Sequence, residues 1–444
     1  KRGHPKIGSL LKIIRNTNKL SMSNKIFNRI KNIGLYFSAS FIPMLLNLAI
    51  NPFVAMHMSP TDYAITGYYT SFSTLIAPMI TFYMLHYYTK RFFEVSELER
   101  ERLKSTILKS LIFFSIIITI LCFLGLLIYI CLFNQNSKIP IMPYIFLSVF
   151  ALPLTGAYSL MLVDLRMSRK SEKFFQVSTI NGVLLVVLTL FFVIIFKWGA
   201  IGKLLAPFCT NLIFFLWTCY EYKDLFHYKF DKKQFRSIIK FCTPLTLAAM
   251  LGFFSNGYDR IFLERLGDTQ ELGFYVVGVQ IAGYILVFQN AIGATFQPDL
   301  FQSIAQRDYK KMIKISALLI GSTAIIVLIF ILFSPLIIKI LTAGRYMLSL
   351  KYTQIIALST ITSAIYYTIS QITVALGRSY ITLFNKIITS VLSILCFSIL
   401  INEYQFIGAA WGLVLSFIIS ALGNLALLLI FKKKPTNVIK NTSN

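Results

Sequence analysis

The chain is dominated by long stretches without an Asp, Glu, Lys or Arg residue. Twelve of these stretches are long enough, or nearly so, to cross the roughly 30 Å hydrocarbon layer of a membrane as helices. They are 32–61, 63–89, 110–137, 139–163, 174–196, 204–220, 241–258, 272–298, 315–338, 352–377, 387–402 and 404–431. A transmembrane β-barrel has alternating runs of about ten residues, whereas these runs are continuous. The sequence therefore predicts an all-α polytopic membrane protein with twelve transmembrane helices.

Composition supports the same class. The chain is 56% hydrophobic and only 14% charged. A soluble fold of 444 residues cannot bury that much apolar surface. The chain is therefore interpreted as an integral membrane protein.

The distribution of cations predicts the orientation in the membrane. Most of the 43 Lys and Arg residues lie in the two terminal segments and in alternate connections between the spans. Cytoplasmic loops carry an excess of cations, so both termini are expected on the cytoplasmic side of the membrane. This asymmetry explains most of the net charge of +26 through contact with membrane lipids and without nucleic acid as a partner. A cationic entry surface also suits a phosphate-bearing lipid substrate.

Internal repetition divides the spans into two halves. Pro43 and Pro244 occupy equivalent places in the first and seventh spans, and each span is followed by a similar turn. Two bundles of six helices that enter from the same side are expected to be related by a pseudo-two-fold axis along the membrane normal. The predicted domains are a basic cytoplasmic arm at 1–31, an N-terminal bundle at 32–221, a cytoplasmic linker at 222–240, a C-terminal bundle at 241–431 and a cytoplasmic tail at 432–444.

Polar residues recur at helical spacing in the seventh span. They are Gly252, Ser255, Asn256 and Asp259, which share one face of an uninterrupted helix. The equivalent face of the first span carries Asn47 and Asn51. Two such faces on duplicated helices predict a central cavity between the bundles. Alternatively, these polar groups only bond adjacent helices together.

Asp259 and Arg260 are the principal candidates for a substrate or ion pathway. Ionisable residues are costly in a membrane span, so they indicate a functional site. Arg260 can pair with Glu264 one turn later, whereas Asp259 and Arg260 point about 100° apart on a helix. Asp259 is therefore expected to lack a local partner. It can carry a coupling proton or cation, hold a cavity arginine, or lie solvated at the outer interface.

Two further cations are candidate contacts for an anionic head group. Lys386 lies in the eleventh span and can meet a head group that enters from the cytoplasm, or extend its amine to the interface. Arg91, beside the second span, can bind a diphosphate with two hydrogen bonds, or only mark a cytoplasmic boundary.

A family resemblance is carried by the segment from Asp259 to Tyr275. The residues Asp259-Arg260-Ile-Phe-Leu-Glu-Arg-Leu-Gly267, followed by Glu271-Leu-Gly-Phe-Tyr275, resemble the junction between the seventh and eighth helices of bacterial polysaccharide flippases. These flippases transport lipid-linked O-antigen and capsule repeat units, and belong to one superfamily with the multidrug and toxic compound extrusion (MATE) transporters. The resemblance implies two bundles in a V around a central cavity that moves an undecaprenyl-diphosphate-linked oligosaccharide to the outer leaflet.

The sequence contains no recognisable catalytic or nucleotide-binding motif. Its four histidines are scattered, and its six cysteines have no metal-ligand spacing. We therefore expect no cofactor and no enzymatic activity, with net transport driven by an H⁺ or Na⁺ gradient or by consumption of the product. An ion-coupled exporter of cationic drugs is the first alternative, and the excess of cations argues against it. A membrane-embedded glycan polymerase, ligase or acyltransferase is the second, and it requires a large outer loop or an acid–base cluster.

Overall fold

The computed structural model describes residues 34–35, 38–39, 41–133 and 137–431. All regular secondary structure in these residues is helical, which confirms the predicted class. The predicted arm at 1–31 and tail at 432–444 lie outside the described residues. The helices are α1 (Phe41–His57), α2 (Pro60–Thr81), α3 (Met84–Arg91), α4 (Glu97–Phe133), α5 (Tyr144–Met167), α6 (Ser171–Leu190), α7 (Gly199–Glu221), α8 (Lys232–Asn256), α9 (Tyr258–Glu264), α10 (Thr269–Gly283), α11 (Ile285–Ala305), α12 (Tyr309–Leu341), α13 (Leu350–Ala375) and α14 (Ser379–Ile430).

The described residues form nine helices that are long and apolar enough to cross a membrane, and the chain is a multi-pass membrane protein. The described residues of all twelve predicted stretches are mainly helical. The shorter apolar helix α1 covers most of the first stretch. Twelve crossings and the pseudo-two-fold axis remain predictions. We call α1–α7 the N-terminal half and α8–α14 the C-terminal half.

The last helix consists of two arms. Gln405 interrupts α14 with φ 50° and ψ −127°, at the start of the predicted stretch 404–431. A side chain on Gly408 would meet the Leu400 carbonyl, and Asn385 in the first arm donates to the Ser420 carbonyl in the second at 2.9 Å. The two arms therefore fold against each other.

The predicted linker at 222–240 is largely ordered. It contains a 3₁₀ turn (Lys223–His227) and the first two turns of α8. The Leu225 side chain is buried, and its carbonyl accepts a 2.6 Å hydrogen bond from Ser105 in α4. The linker thus packs against the N-terminal half.

The two similar turns that follow the first and seventh predicted spans each cap the helix after them. Ser59 and Asp62 form a capping box at the start of α2, in which the Asp62 amide donates to the Ser59 hydroxyl at 3.1 Å. Asp268 caps α10 by accepting from the Glu271 amide at 2.9 Å. Asp62 also accepts from the Ala200 amide at 2.9 Å, which fixes the start of α7 beside α2.

Helices α2 and α10 join the two halves at the end of the molecule that carries these caps. A Cβ on Gly273 would stand 1.9 Å from the Pro60 carbonyl oxygen, and one on Gly67 would stand 2.3 Å from Val276. Only a residue without a side chain allows the two backbones to approach this closely. We call this contact the α2–α10 seam.

Hydrogen bonds reinforce the seam from both sides. Asn51 in α1 accepts from Gln280 Nε2 at 3.2 Å and donates to the Tyr284 hydroxyl. The Tyr346 hydroxyl donates to the Met58 carbonyl at 2.7 Å. Burial raises the pKa of Tyr346 to about 12, so its phenol remains a neutral donor at physiological pH.

The predicted orientation can be tested with cysteines placed at opposite ends of the helices. Asn402 and Ser96 are both exposed. In a background with the exposed Cys131 replaced by serine, we expect Asn402→Cys to react with an impermeant maleimide in intact cells and Ser96→Cys to react only after permeabilisation. Labelling of Ser96→Cys in intact cells would contradict the proposed orientation.

Candidate functional site

The polar face predicted on the seventh span is interrupted. Helix α8 ends at Asn256, and Gly257 has φ −147° and ψ −16° before α9 begins at Tyr258. Ser255 and Asp259 are completely buried, whereas Asn256 is exposed. Ser255 and Asn256 lie in the same unbroken helix, so the break does not explain their different burial. It does separate Asp259, in α9, from the predicted face, because a periodicity argument assumes an unbroken helix.

Asp259 has local partners, contrary to the sequence-based expectation. Its Oδ2 accepts a 2.7 Å hydrogen bond from the Tyr275 hydroxyl and lies 3.9 Å from Arg260 Nε. Asp259 and Arg260 are neighbours in the short helix α9, and Tyr275 belongs to α10. Arg260 also reaches across to α2, where its Nη1 lies 3.5 Å from Ser71 Oγ. Asp259 thus holds the inner part of an arginine whose guanidinium contacts the other half.

Arg260 and Lys203 line one cavity of about 350 Å³ between the two halves, which we call the inter-half cavity. The N-terminal half contributes Lys203 from α7, and the C-terminal half contributes Arg260 from α9. The remaining wall comes from α2, α7 and α10: Thr66, Gly67, Thr70, Leu204, Pro207, Val276, Val279 and Gln280. Within the described part of the chain, Lys203 forms no ion pair. The cavity therefore presents two cations and no carboxylate among its described lining residues.

Arg260 also lines a neighbouring cavity of about 240 Å³ inside the C-terminal half, which we call the middle cavity. Asn256 lies in its wall, as does Tyr367 of α13. Tyr367 in turn lines a third cavity of about 270 Å³, the amide cavity. Its other lining residues are Gln289, Asn290, Gly293, Ala294, Gln297, Leu319, Ala364, Thr368 and Gln371. Shared walls thus connect the cationic cavity with a neutral polar one.

The other predicted site residues do not line these three cavities. Ser255 is buried beside the helix break. Asn47 donates to the Pro43 carbonyl of its own helix at 3.0 Å, and Asn51 belongs to the contacts at the α2–α10 seam. The Asn51 contact matches the alternative role of bonding adjacent helices, whereas the Asn47 hydrogen bond stays within α1. A place for either asparagine in a transport pathway stays a prediction.

The two outlying cations are placed differently. Lys386 is partly buried, with Nζ 5.1 Å from the centroid of the Tyr366 ring. This distance is typical of a cation–π contact. Arg91 forms a 2.8 Å ion pair with Glu94, and both side chains are exposed. Their contacts with a head group stay predictions.

Sequence reasoning missed Lys203 as a site residue. The structure places it one turn inside α7, opposite Arg260. Its position inside a helix could have drawn attention to it, but its partner lies in the other half and has no fixed spacing in the sequence.

A separate polar cluster lies within the N-terminal half around Asp164. Tyr222 donates to its carboxylate at 2.9 Å, Tyr88 donates at 2.5 Å, and Lys104 lies 3.3 Å away. Burial and the negative charge of Asp164 raise the pKa of Tyr222. These contacts connect α3, α4, α5 and the linker, so they stabilise the bundle.

The described residues thus form a multi-pass helical membrane protein with two cations in a cavity between its halves. A family model described as polysaccharide biosynthesis protein matches residues 30–304, and the chain belongs to that family. This confirms the resemblance found in the sequence. A search among curated proteins finds no match.

Solved structures with the same fold come from one superfamily of transporters. The lipid II flippase MurJ in an inward closed conformation is 18% identical with a TM-score of 0.66, covering 91% of this chain and 88% of that one. An inward-facing multidrug resistance MATE transporter of the MOP superfamily is 15% identical with a TM-score of 0.63, over 90% and 99% of the chains. A MOP superfamily transporter from Pyrococcus furiosus is 14% identical with a TM-score of 0.57, over 91% and 95%. At these identities the likeness shows the fold.

The contact between Asp259 and Arg260 predicts a non-additive effect on stability. Arg260→Gln leaves a fully buried carboxylate without its nearby cation, and breaking a buried pair costs about 3 kcal/mol. The double variant Asp259→Asn/Arg260→Gln removes both charges, so it should resist unfolding better than Arg260→Gln alone. Titration with SDS, followed by circular dichroism of the purified protein, measures the difference.

A matched control replaces an exposed carboxylate. Glu403→Gln should unfold like the unaltered protein, because Glu403 lies at the surface. If the double variant proves no more stable than Arg260→Gln, the Arg260 charge does not stabilise the buried Asp259 carboxylate.

Proposed function

We propose that the protein flips an undecaprenyl-diphosphate-linked oligosaccharide across the bacterial inner membrane by alternating access. The observation that carries this proposal is the pair of cations in the inter-half cavity. Lys203 and Arg260 approach one space from different halves, and a diphosphate is a compact anion that suits an ammonium and a guanidinium together. Membership of the polysaccharide biosynthesis family and the fold shared with a lipid II flippase support the same substrate class.

The contacts between the halves support an inward-facing state. The α2–α10 seam and the hydrogen bonds of Asn51 and Tyr346 lie at the end that the predicted topology assigns to the outer side. Opening that end requires the glycine contacts at Gly67 and Gly273 to separate. A rocking motion of the halves around the inter-half cavity then exposes Lys203 and Arg260 to the outer leaflet.

Of the roles left open for Asp259, its contacts favour holding a cavity arginine. The carboxylate is completely buried and is not part of the described cavity walls, whereas Arg260 is. Asp259 is thus a positioning residue for Arg260 in this proposal. The proposal also includes coupling to an H⁺ or Na⁺ gradient and cytoplasmic termini. It further includes an initial contact of the head group with Lys386 or Arg91.

Export of cationic drugs is the principal competing function, because MATE transporters share the fold. The cavity charge argues against it, since Lys203 and Arg260 would repel a cationic substrate. A glycan polymerase, ligase or acyltransferase is less consistent with the transporter family and fold.

The proposal predicts which cations transport requires. In a strain that lacks the protein, lipid-linked repeat units should accumulate in the inner leaflet and surface polysaccharide should fall. Lys203→Gln, Arg260→Gln and Asp259→Asn should each restore little export, because each removes or misplaces a cavity charge. Surface glycan and variant abundance in the membrane are the measurements.

Lys197→Gln provides the control, because Lys197 is an exposed cation shortly before α7. It should restore export fully. Normal surface glycan in the strain without the protein, together with a clear gain in dye accumulation, would establish the drug exporter instead. Full export by an abundant Arg260→Gln protein would remove the proposed diphosphate site.

A further inference from the structure

The amide cavity differs in chemistry from the cationic cavity that carries the proposed function. Four side-chain amides line it: Gln289, Asn290, Gln297 and Gln371. The Thr368 and Tyr367 hydroxyls lie in the same wall. Among its described lining residues there is no Asp, Glu, Lys, Arg or His. The site is therefore polar without being charged, which suits a neutral ligand with several hydrogen-bonding groups.

The amides retain unused hydrogen-bonding capacity. The Gln371 Oε1 atom is buried and has no hydrogen-bond partner in the described part of the chain. An unsatisfied buried acceptor is unfavourable, and a ligand that donates a hydrogen bond to it removes that penalty. Phosphate oxygens accept hydrogen bonds, whereas sugar hydroxyls donate as well as accept. The free acceptor thus favours a saccharide over a second phosphate.

One amide is already fixed in place. Gln289 Nε2 donates to Ser363 Oγ at 3.0 Å, and this side chain is buried. Each amide still has a further donor or acceptor, since a glutamine offers two donors and two lone pairs. Tyr367 lines both this cavity and the middle cavity, so the wall next to the amides includes an aromatic side chain.

The space beside these groups is open. A Cβ built on Gly293 meets nothing within 4 Å, although Gly293 lies in the cavity wall. The middle cavity, lined by Arg260 at one side and Tyr367 at the other, lies between the amide cavity and the proposed diphosphate site. A ligand with a charged group and an attached neutral group can therefore occupy neighbouring cavities.

We propose that the amide cavity is the subsite for the uncharged sugar next to the diphosphate of the transported lipid. The inference rests on the proposed function and adds to it that the glycan is recognised by neutral amides of α11 and α13. Lys203 and Arg260 bind the diphosphate, and the amide cavity of the C-terminal half binds the sugar. The subsite contributes affinity only when a sugar is present.

Two probe lipids separate the subsites. Undecaprenyl diphosphate carries the charge alone, and undecaprenyl diphosphate bearing N-acetylglucosamine carries the charge and a sugar. Native mass spectrometry of the purified full-length protein measures the dissociation constant of each. We expect the sugar-bearing lipid to bind about tenfold more tightly, as two or three net hydrogen bonds allow.

Two variants should abolish that tenfold ratio. Gly293→Leu fills the cavity without removing a hydrogen bond, and Gln371→Leu removes the free acceptor. Both should bind the bare diphosphate lipid like the unaltered protein. Gly321→Leu is the matched control, because Gly321 lies in the adjacent helix α12, also faces open space and is not in the cavity wall. It should preserve the ratio.

The outcomes distinguish the two proposals. Arg260→Gln should weaken both lipids equally and preserve the ratio, and unchanged binding of the bare lipid by this variant would overturn the diphosphate site. If Arg260→Gln weakens both lipids but Gly293→Leu and Gln371→Leu keep the ratio, the amide cavity is not the sugar subsite. A ratio of one in the unaltered protein would also overturn it.

Discussion

The close contact of α2 with α10 determines the arrangement of everything around it. Gly67 and Gly273 let the two backbones meet at separations that no Cβ would permit. In a membrane, small residues allow close van der Waals contact between helices where the hydrophobic effect offers no drive. This contact closes one end of the molecule and leaves the inter-half cavity beside it. Lys203 and Arg260 line the same space because the seam brings their halves together.

The buried carboxylate of Asp259 imposes a second requirement. A charge removed from water needs a hydrogen-bond donor and a nearby cation. Tyr275 supplies the first and Arg260 the second. The same arrangement leaves the outer part of the arginine in the cavity wall. Arg260 therefore both neutralises the buried carboxylate and makes the cavity cationic. The amide cavity of the C-terminal half, which shares a wall with the middle cavity, is lined by neutral amides and no charged group among its described residues.

Some local features could be derived from residue order alone. The capping turns at Asp62 and Asp268 follow from short-range chemistry, and the structure contains both. The face assigned to Ser255, Asn256 and Asp259 could not be derived, because the helix break at Gly257 places Asp259 in a different helix from the other two. Asn256 and Arg260, two of the predicted site residues, lie in the wall of the middle cavity, and their part in transport stays a prediction. Lys203 and the amides of α11 and α13 were missed, because their neighbours are distant in the sequence.

The sequence by itself determined the class of the protein. Charge-free stretches of about twenty residues must be helical in a membrane, since every backbone group needs a partner there. The segment from Asp259 to Tyr275 also indicated the family. Only the tertiary structure decided which charges meet. Asp259 accepts a hydrogen bond from Tyr275 of α10, and Arg260 shares a cavity with Lys203 because α2 packs against α10. Such contacts depend on packing between distant segments, which no local spacing specifies.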